Sequence, residues 1–336
     1  MKKPIAALVA ALLIVAALAA CRQQARTCSD ESEQAEYSEQ AAARRDAAAP
    51  ALPDGLEYGE DGMPVITIFD TAAEAYEEVN IEDYVAGVLA GEMRNDWPME
   101  ALKAQAILAR TFVLKFIGEK ESKYPGAQIS TDISEAQAYA PDAVNDRVRK
   151  AVDETRGLVL SANGELPYAW FHAHSGGMTE LPVEGLSFEG GNPPYAQIVE
   201  SRDSDSAPTS VKHWTASFSA DEVAEAARKT GAEIGSTITS IALGRRGESG
   251  RTVVFLINGQ EVSAPNLRVN LDSTKLKSTL LDSVKLENGR VTFEGSGYGH
   301  GVGMSQWGAY ALAGEGKTAE QIVGYYFKDV DVVHAW

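Results

Sequence analysis

A helical pattern that is interrupted only once constrains the fold of this chain more than any other feature. Residues 80–116 read "NIEDYVAGVLAGEMRNDWPMEALKAQAILARTFVLKF", with apolar residues at helical spacing on both sides of the break "RNDWP". Asn80 suits an N-cap, Glu82 and Asp83 suit the first turn, and Pro98 suits the start of a second helix. The pattern therefore predicts two consecutive helices, the second ending near the end of this stretch.

Asn-Gly pairs predict antiparallel hairpins, because both residues accept the positive φ of a tight hairpin turn. Three pairs lie between strand-like runs: Asn163-Gly164, Asn258-Gly259 and Asn288-Gly289. Other local patterns predict a strand over 64–69, a helix over about 141–156, and helices opened by capping boxes at 219–222 and 318–321. Since helices and antiparallel strands are segregated, the expected class is α+β, a helical catalytic region with antiparallel hairpins in a single large globular part.

The N-terminus predicts export and a membrane anchor. Residues 1–21 combine a basic start with an uninterrupted apolar run, as in a secretory signal peptide. The run ends in "LAAC", which resembles a bacterial lipobox with Cys21 as the cleaved and lipidated residue; a single N-terminal transmembrane helix is the alternative. Residues 22–53 are polar and alanine-rich, which predicts a disordered tether before a globular part over 54–336. The expected location is extracytoplasmic, anchored to the cytoplasmic membrane.

Charge and cysteine content exclude several classes of function. The formal net charge of -18 argues against a nucleic-acid partner, since phosphate binding needs clustered Lys and Arg. The two cysteines are Cys21 and Cys28, so a metal site in the globular part would need His, Asp or Glu. His172 and His174 would share one face of a strand, but no third ligand is identifiable, and structural histidines are the simpler interpretation. We therefore expect no cofactor and no metal.

A lone acid, Glu92, ends the first predicted helix, where its side chain can reach a groove. Lys103 and Arg110 are seven residues apart and so share a face of the second helix. Two interpretations are open: a cationic stripe that holds polar substrate, or a solvated acid beside lysine and arginine stems that pack on the core. Residues 295–303 carry glycine at every second position, which permits close approach to a ligand or to another segment.

Three stretches carry a family resemblance: "EMRNDWPMEALKAQAILARTFVL", "FHAHSGGMTE" and "GSGYGHGVGMSQWGAYALAGEGKTAEQIVGYYF". In this order they closely resemble the sporulation stage II protein D family, which also includes amidase-enhancer proteins. The match covers roughly residues 65–330, nearly all of the predicted globular part. The segment over about 200–290 matches only as generic helix and hairpins, and it is a possible inserted α+β subdomain.

The resemblance implies a peptidoglycan lytic transglycosylase, a lyase that cuts between N-acetylmuramic acid and N-acetylglucosamine and leaves a 1,6-anhydro end. The implied substrate is glycan already stripped of peptide by a partner cell-wall amidase, during the engulfment step of sporulation. Glu92 matches the family's catalytic glutamate. The residues expected to contact the substrate are Lys103, Arg110, Ser175, Thr179, His300, Ser305 and Gln306.

One departure from the family pattern concerns zinc. Some members bind zinc through cysteine and histidine near the loop that here spans 172–180, and this loop has no cysteine, so a Cys/His site is excluded.

Two other functions compete with the transglycosylase. One is a non-catalytic, glycan-binding enhancer of an N-acetylmuramoyl-L-alanine amidase, and the other is a metal-dependent peptidase or amidase that uses His172 and His174.

Overall fold

A computed structural model describes residues 49–336, which fall in one compact unit. The predicted signal peptide, the lipidation site Cys21 and most of the predicted tether lie outside the described residues. Within the described range, no helix is both long enough and apolar enough to cross a membrane.

The predicted helix pair is confirmed and lies at the centre of the larger core. Helix α1 spans Ile81–Glu92, and the Asn80 side chain caps it by accepting from the Glu82 N–H. Helix α2 spans Met99–Glu119, with Pro98 as its N-cap. It continues one turn beyond the predicted end, where an ion pair between Lys115 and Glu119 supports the last turn.

A mainly antiparallel sheet flanks this pair. Its strands are β1 (Glu57–Tyr58), β2 (Pro64–Asp70), β3 (Ala75–Asn80) and β4 (Ile129–Ser130). Strands β1 and β3 pair antiparallel with β2, and β4 pairs parallel with it. A 3-10 turn over Pro141–Ala143 precedes α3, which spans only Asp146–Asp153 of the helix predicted over 141–156. The helix begins late because Asn145 accepts from the first backbone N–H groups and so caps it there.

The hairpin predicted around Asn163-Gly164 is reduced to its turn and one antiparallel bridge, between Ala162 and Glu165. Both turn residues have positive φ, but β5 and β6 on either side do not pair with each other. The partners are distant in sequence: β5 (Leu158–Ser161) pairs with β14 (Asp331–His334), and β6 (Phe171–His172) pairs with β13 (Met304–Ser305). Pro167 follows the turn and has no N–H to donate, which disfavours a local ladder.

A second hydrophobic core lies within residues 214–293. Two short helices, α4 (Pro182–Leu186) and α5 (Thr209–Lys212), precede it. Its elements are β7 (Trp214–Ser219), α6 (Ala220–Lys229), β8 (Ile241–Leu243), β9 (Val254–Ile257), β10 (Gln260–Ser263), α7 (Ala264–Leu271), β11 (Leu281–Glu287) and β12 (Arg290–Gly295). The strands form two antiparallel sheets in the orders β11-β12-β7 and β10-β9-β8. The two predicted hairpins and the capping box of α6 are confirmed, and an inserted subdomain over 200–290 stays a prediction.

The C-terminal helices return to the first core. Helix α8 spans Gln306–Gly314, and α9 spans Ala319–Tyr326 behind the predicted capping box of Thr318 and Gln321. Together with α1 and α2 they contribute most of the larger core's helical side chains. The described residues therefore form a mixed fold of helices and mainly antiparallel sheets, as expected for the α+β class.

Candidate active site

Glu92 is the last residue of α1 and lines an open depression of about 610 Å³. The backbone leaves the helix at Met93 in an extended conformation, so the acid stands at the point where the chain turns away. The other residues that line the depression are Ala90, Gly91, Met93, Arg94, Asn95, Asp96, Asn145 and Arg147. Glu92 as a whole residue is half-buried.

Two glycines in α1 allow another segment to lie directly against Glu92. A Cβ at Gly91 would stand 2.9 Å from the Ala138 carbonyl carbon, and a Cβ at Gly87 would overlap the Tyr139 ring. The segment therefore crosses the helix at backbone contact, and the Ala138 N–H donates to Glu92 Oε1 at 2.6 Å. The sequence did not identify this crossing segment.

Gln306 reaches the other carboxyl oxygen. Its Nε2 lies 3.5 Å from Glu92 Oε2 and 3.5 Å from Oε1 of Gln105, a fully buried residue of α2. Helices α1, α2 and α8 thus converge on the acid. Of the predicted substrate contacts, Gln306 is the one that the structure brings to Glu92.

Burial raises the pKa of Glu92 above its ordinary value. The hydrogen bonds from Ala138 and Gln306 act in the opposite direction, because they favour the carboxylate, but they do not cancel the effect of burial. The negative end of the α1 dipole also disfavours a charge at this position. Glu92 therefore keeps its proton to higher pH than an exposed glutamate does, which suits a general acid.

Lys103 does not face Glu92. It lies two residues from Gln105, about 200° around α2, and Gln105 is the residue that contacts Gln306. Lys103 Nζ forms ion pairs of 2.8 Å with Glu100 and with Glu154, which follows α3. The structure thus shows this lysine linking two elements through ion pairs, and its contact with substrate stays a prediction.

The predicted substrate contact of Arg110 is corrected, because Arg110 is a core residue. Its side chain is 0% exposed and forms a bidentate ion pair with Glu82, at 3.1 Å from Nε and 2.5 Å from Nη2. Nη1 donates to the Leu158 carbonyl at 2.8 Å, and Glu82 also accepts from the Gly157 N–H. This leaves no guanidinium surface for a substrate.

Ser175, Thr179 and Ser305 are fully buried, so their predicted contacts with substrate are corrected as well. Thr179 Oγ1 accepts from the Val199 N–H at 2.8 Å and lies 3.2 Å from the Gln197 carbonyl, to which it donates. Ser305 caps α8 by accepting from the Gly308 N–H. These hydroxyls shape loops and a helix start instead of reaching a ligand.

Burial lowers the pKa of His172, His174 and His300. The pKa of His300 falls to about 3, that of His172 falls well below its ordinary value, and that of His174 is also lowered. Nδ1 of His300 accepts from the Val302 N–H, and Nδ1 of His174 accepts from the Gly176 N–H. Among residues 49–336, no group of three His, Cys, Asp or Glu side chains is placed to hold a metal. A substrate contact by His300 stays a prediction.

The glycine-rich stretch over 295–303 packs on β6, which carries His172, and on the residues next to that strand. Gly299 has a φ of +106°, and a Cβ there would stand 2.7 Å from the Cβ of His172. Gly303 has a φ of +69° and lies against the Trp170 carbonyl. Of the two uses that the glycine spacing allowed, the described structure shows close approach to another segment, which positions the start of α8.

Asp203 is a site residue that the sequence did not reveal. Its side chain is 4% exposed and accepts from the hydroxyls of Ser175 (2.6 Å), Ser201 (2.8 Å) and Ser305 (2.6 Å). It also accepts from the Ser175 and Gly176 backbone N–H groups. Ser305 directly precedes Gln306. Asp203 therefore ties the loop over residues 175–177 to α8, the helix that presents Gln306 to Glu92. In the sequence it stands in the polar loop "ESRDSDSAP", without a pattern that separates it from its neighbours.

Asp203→Asn is expected to destabilise the fold by about 1–3 kcal/mol, because an amide NH₂ would replace an acceptor and leave buried donors without a partner. Urea unfolding curves measure this change. Asp205→Asn is the matched control, since Asp205 is exposed in the same loop and its loss should cost less than about 0.5 kcal/mol. Equal unfolding curves for the two variants would contradict the assigned role of Asp203.

Comparison with known proteins covers most of the chain. Residues 70–161, which include Glu92 and Ala138, match a family model described as stage II sporulation protein, and residues 192–303 match a domain of unknown function. Stage II sporulation protein D of Bacillus subtilis is 31% identical over 288 residues, covering 80% of this chain and 79% of that protein. An uncharacterized protein of Brachyspira hyodysenteriae is 32% identical over 283 residues, covering 83% of this chain and 73% of that protein. The amidase enhancer of Bacillus subtilis is 28% identical over 287 residues, covering 72% of this chain and 39% of that protein.

Proposed function

The chain belongs to the stage II sporulation protein D family, and on that premise we propose that it is a peptidoglycan lytic transglycosylase with Glu92 as its acid and base. The substrate is glycan of alternating N-acetylmuramic acid and N-acetylglucosamine, stripped of its peptides and cut to 1,6-anhydro ends. One observation carries the proposal. Glu92 lines an open depression, burial raises its pKa, and its hydrogen-bond partners Ala138 and Gln306 carry no charge.

The reaction needs a single carboxyl group that acts twice. Protonated Glu92 donates its proton to the glycosidic oxygen while the bond from that oxygen to C1 of the muramoyl sugar breaks. The resulting carboxylate then accepts the proton of the sugar's own 6-hydroxyl as this oxygen attacks C1. No water is consumed, and Glu92 ends the cycle protonated.

The proposed reaction needs no second catalytic carboxylate, and the residues that line the depression offer none well suited to that role. Ordinary glycosidases place two carboxyl groups around the scissile bond. Apart from Glu92, the one carboxylate that lines the depression is Asp96, whose side chain is 68% exposed and ion-paired with Arg94 at 2.9 Å. Arg94 donates to both oxygens of Asp96 and lowers its pKa, so this carboxylate is ionised but already occupied and exposed, which suits it poorly as a nucleophile or base.

Gln306→Leu is expected to move the alkaline limb of the pH–activity profile to higher pH. Glu92 must be protonated to act as an acid, so activity falls as pH rises through its pKa in the folded protein. The hydrogen bond from Gln306 favours the carboxylate, and its loss raises that pKa further. Profiles of kcat/KM against pH measure the shift, and Gln260→Leu, at an exposed position of β10, is the control. An unmoved limb would show that Gln306 does not bond Glu92 in the free enzyme.

The proposed reaction is tested with the full chain and peptide-free glycan strands in water enriched in heavy oxygen. We expect anhydro ends without heavy oxygen, because the attacking oxygen comes from the sugar. Reducing ends that contain heavy oxygen would contradict the proposal and indicate a hydrolase. Mass spectrometry of the products distinguishes the two outcomes.

A second candidate is a non-catalytic, glycan-binding scaffold that enhances an N-acetylmuramoyl-L-alanine amidase, which the similarity to the amidase enhancer favours. In this case the protein would leave glycan intact and accelerate release of stem peptides by an added amidase. Glu92→Gln would then enhance the amidase as well as the native chain does. Under the first candidate, the amidase is instead the partner that supplies peptide-free strands.

The same proposal places the protein outside the cytoplasmic membrane, in the engulfment step of sporulation, held by a lipid on Cys21. Labelled palmitate should enter the native chain but not Cys21→Ser. A chain that stays membrane-bound without label would instead indicate an N-terminal transmembrane helix.

A further inference from the structure

A pocket of about 230 Å³ lies against α2, and the proposed reaction does not use it. Its aromatic lining consists of Phe112, Phe116, Tyr168, Trp170 and Phe188. Two of these residues come from α2, and the other three come from the segments before β6 and after α4.

Tyr168, Trp170 and Phe188 form a cluster of their own. Tyr168 stacks on Trp170 with ring centroids 4.8 Å apart, and Phe188 meets both rings edge-on at 5.1 and 5.2 Å. The three residues belong to neither hydrophobic core, and all of them are partly accessible. A cluster of aromatic rings kept outside the core at an open pocket is a common sign of a binding site.

Polar groups stand beside these rings. The Tyr168 hydroxyl donates to Glu119 Oε2 at 2.6 Å, and Lys115 Nζ lies 2.6 Å from Glu119 Oε1. Lys115 Nζ also lies 4.8 Å from the centre of the Tyr168 ring. Aromatic faces next to charged hydrogen-bonding groups match a sugar ring, which offers C–H groups on its face and hydroxyls at its edge.

The pocket lies on the same face of α2 as Gln105, nearer the C-terminal end of the helix. Phe112 and Phe116 follow Gln105 by seven and eleven residues, which places them within about 20° of the same face and about 10 and 16 Å along the axis. Gln105 contacts Gln306, which contacts Glu92. This axial distance is within the length of a few linked sugars, but Gln105 and Ala109 are buried, so a strand that reaches both sites runs over the segments that cover this face of α2.

The two segments that meet at Glu92 also follow this face of α2. Next to Ala138, which donates to Glu92, Gln137 contacts the carbonyl of Ala109 in α2. On the other side, Trp170 of the pocket accepts from the Met304 N–H, two residues before Gln306. The same chain segments therefore connect the acid to the pocket.

We propose that this pocket is a distal subsite that binds a sugar ring of the glycan strand whose scissile bond lies at Glu92. The proposal rests on the proposed function, since it requires glycan at Glu92. Stacking of one more sugar on the accessible part of Trp170 adds affinity that only a strand long enough to span both sites can use. The pocket thus makes the protein select long strands over short fragments.

The test uses the full chain carrying Glu92→Gln, which binds strands without cutting them. Trp170→Ala and Phe188→Ala are each added to this background, and affinities for long and short peptide-free glycan are measured by calorimetry. Both variants should bind long strands about tenfold more weakly, and short fragments that reach only Glu92 as before. Tyr58→Ala is the control, since Tyr58 lies on β1 and is 53% exposed, and circular dichroism checks that each variant is folded.

Each outcome decides between the two proposals. If the Glu92→Gln chain binds no glycan of any length, the proposed function fails. If it binds long strands and both folded pocket variants bind them equally tightly, the subsite is overturned while the proposed function stands. A free stem peptide that competes with long strands in the Glu92→Gln chain, but not after Trp170→Ala, would assign the pocket to peptide and also overturn the subsite.

Discussion

Glu92→Gln is expected to reduce cleavage of peptide-free glycan by about 10³- to 10⁴-fold, because the amide can neither donate the proton to the leaving oxygen nor accept it from the 6-hydroxyl. Strand binding should persist, since glutamine is nearly isosteric and can still accept from the Ala138 N–H. Quantification of anhydro ends over time, with binding measured in parallel, separates the two effects.

Asp96→Asn is the matched control, because it removes a carboxylate from the same depression. We expect its rate to stay within about threefold of the native rate, as for an exposed side chain outside the chemistry. If Asp96→Asn inactivated the protein as fully as Glu92→Gln, the single-acid reaction would be wrong. A two-carboxylate glycosidase would then be the better description.

The stability of Glu92→Gln gives a second, independent readout. Because burial raises the pKa of Glu92 in the folded state, ionisation costs the folded state more than the unfolded chain. The native protein therefore loses stability as pH rises from the unfolded pKa through the folded pKa. The variant, which cannot ionise there, should melt at a higher temperature at neutral pH and show little gain below both values. A lower melting temperature at neutral pH would contradict this sign.

Arg110→Met is expected to lower the free energy of unfolding by about 3–5 kcal/mol, because it leaves Glu82 as a buried charge without its partner. Both members of the pair are almost fully buried. Urea unfolding at neutral pH measures the loss. The double variant Glu82→Leu/Arg110→Met should recover most of it, since both charges are then replaced by apolar groups.

Arg149→Met provides the comparison at an exposed pair. Arg149 pairs with Asp83, the residue after Glu82 on α1, but both side chains are largely in solvent. Its loss should cost less than about 1 kcal/mol, because water already screens the pair. Suppose instead that Arg110→Met unfolded at the same urea concentration as the native protein but failed to bind glycan. The substrate contact predicted from the sequence would then be restored, and the structural role would be wrong.

Local chemistry made several elements predictable. The Asn80 cap and the capping boxes at 219–222 and 318–321 act within one turn of helix, so three or four neighbouring residues are enough to identify them. The hairpins at Asn258-Gly259 and Asn288-Gly289 formed for the same reason. At Asn163-Gly164 the same signal produced the turn without the hairpin, because distant strands provided better partners.

The site followed a different rule. Glu92 was noticed at a helix end, and the family resemblance assigned both it and Gln306 to the candidate site. The sequence could not show that they meet, because 214 residues separate them. Asp203 was missed because its five hydrogen bonds involve groups from three separate segments, and the loop around it resembles any polar loop.

Lys103 and Arg110 of α2 show what the sequence could predict and what it could not. Helical spacing placed Lys103 and Arg110 on one face, and this required only the period of the helix. Whether that face meets substrate or core depends on Glu82, Glu154 and Leu158, which only the packing of other elements brings to it. The sequence by itself determined where helices, caps and tight turns form, because those energies are local. Tertiary structure alone decided which polar groups became buried partners and which carboxyl group had its pKa raised, because burial and pairing depend on residues far apart in the chain.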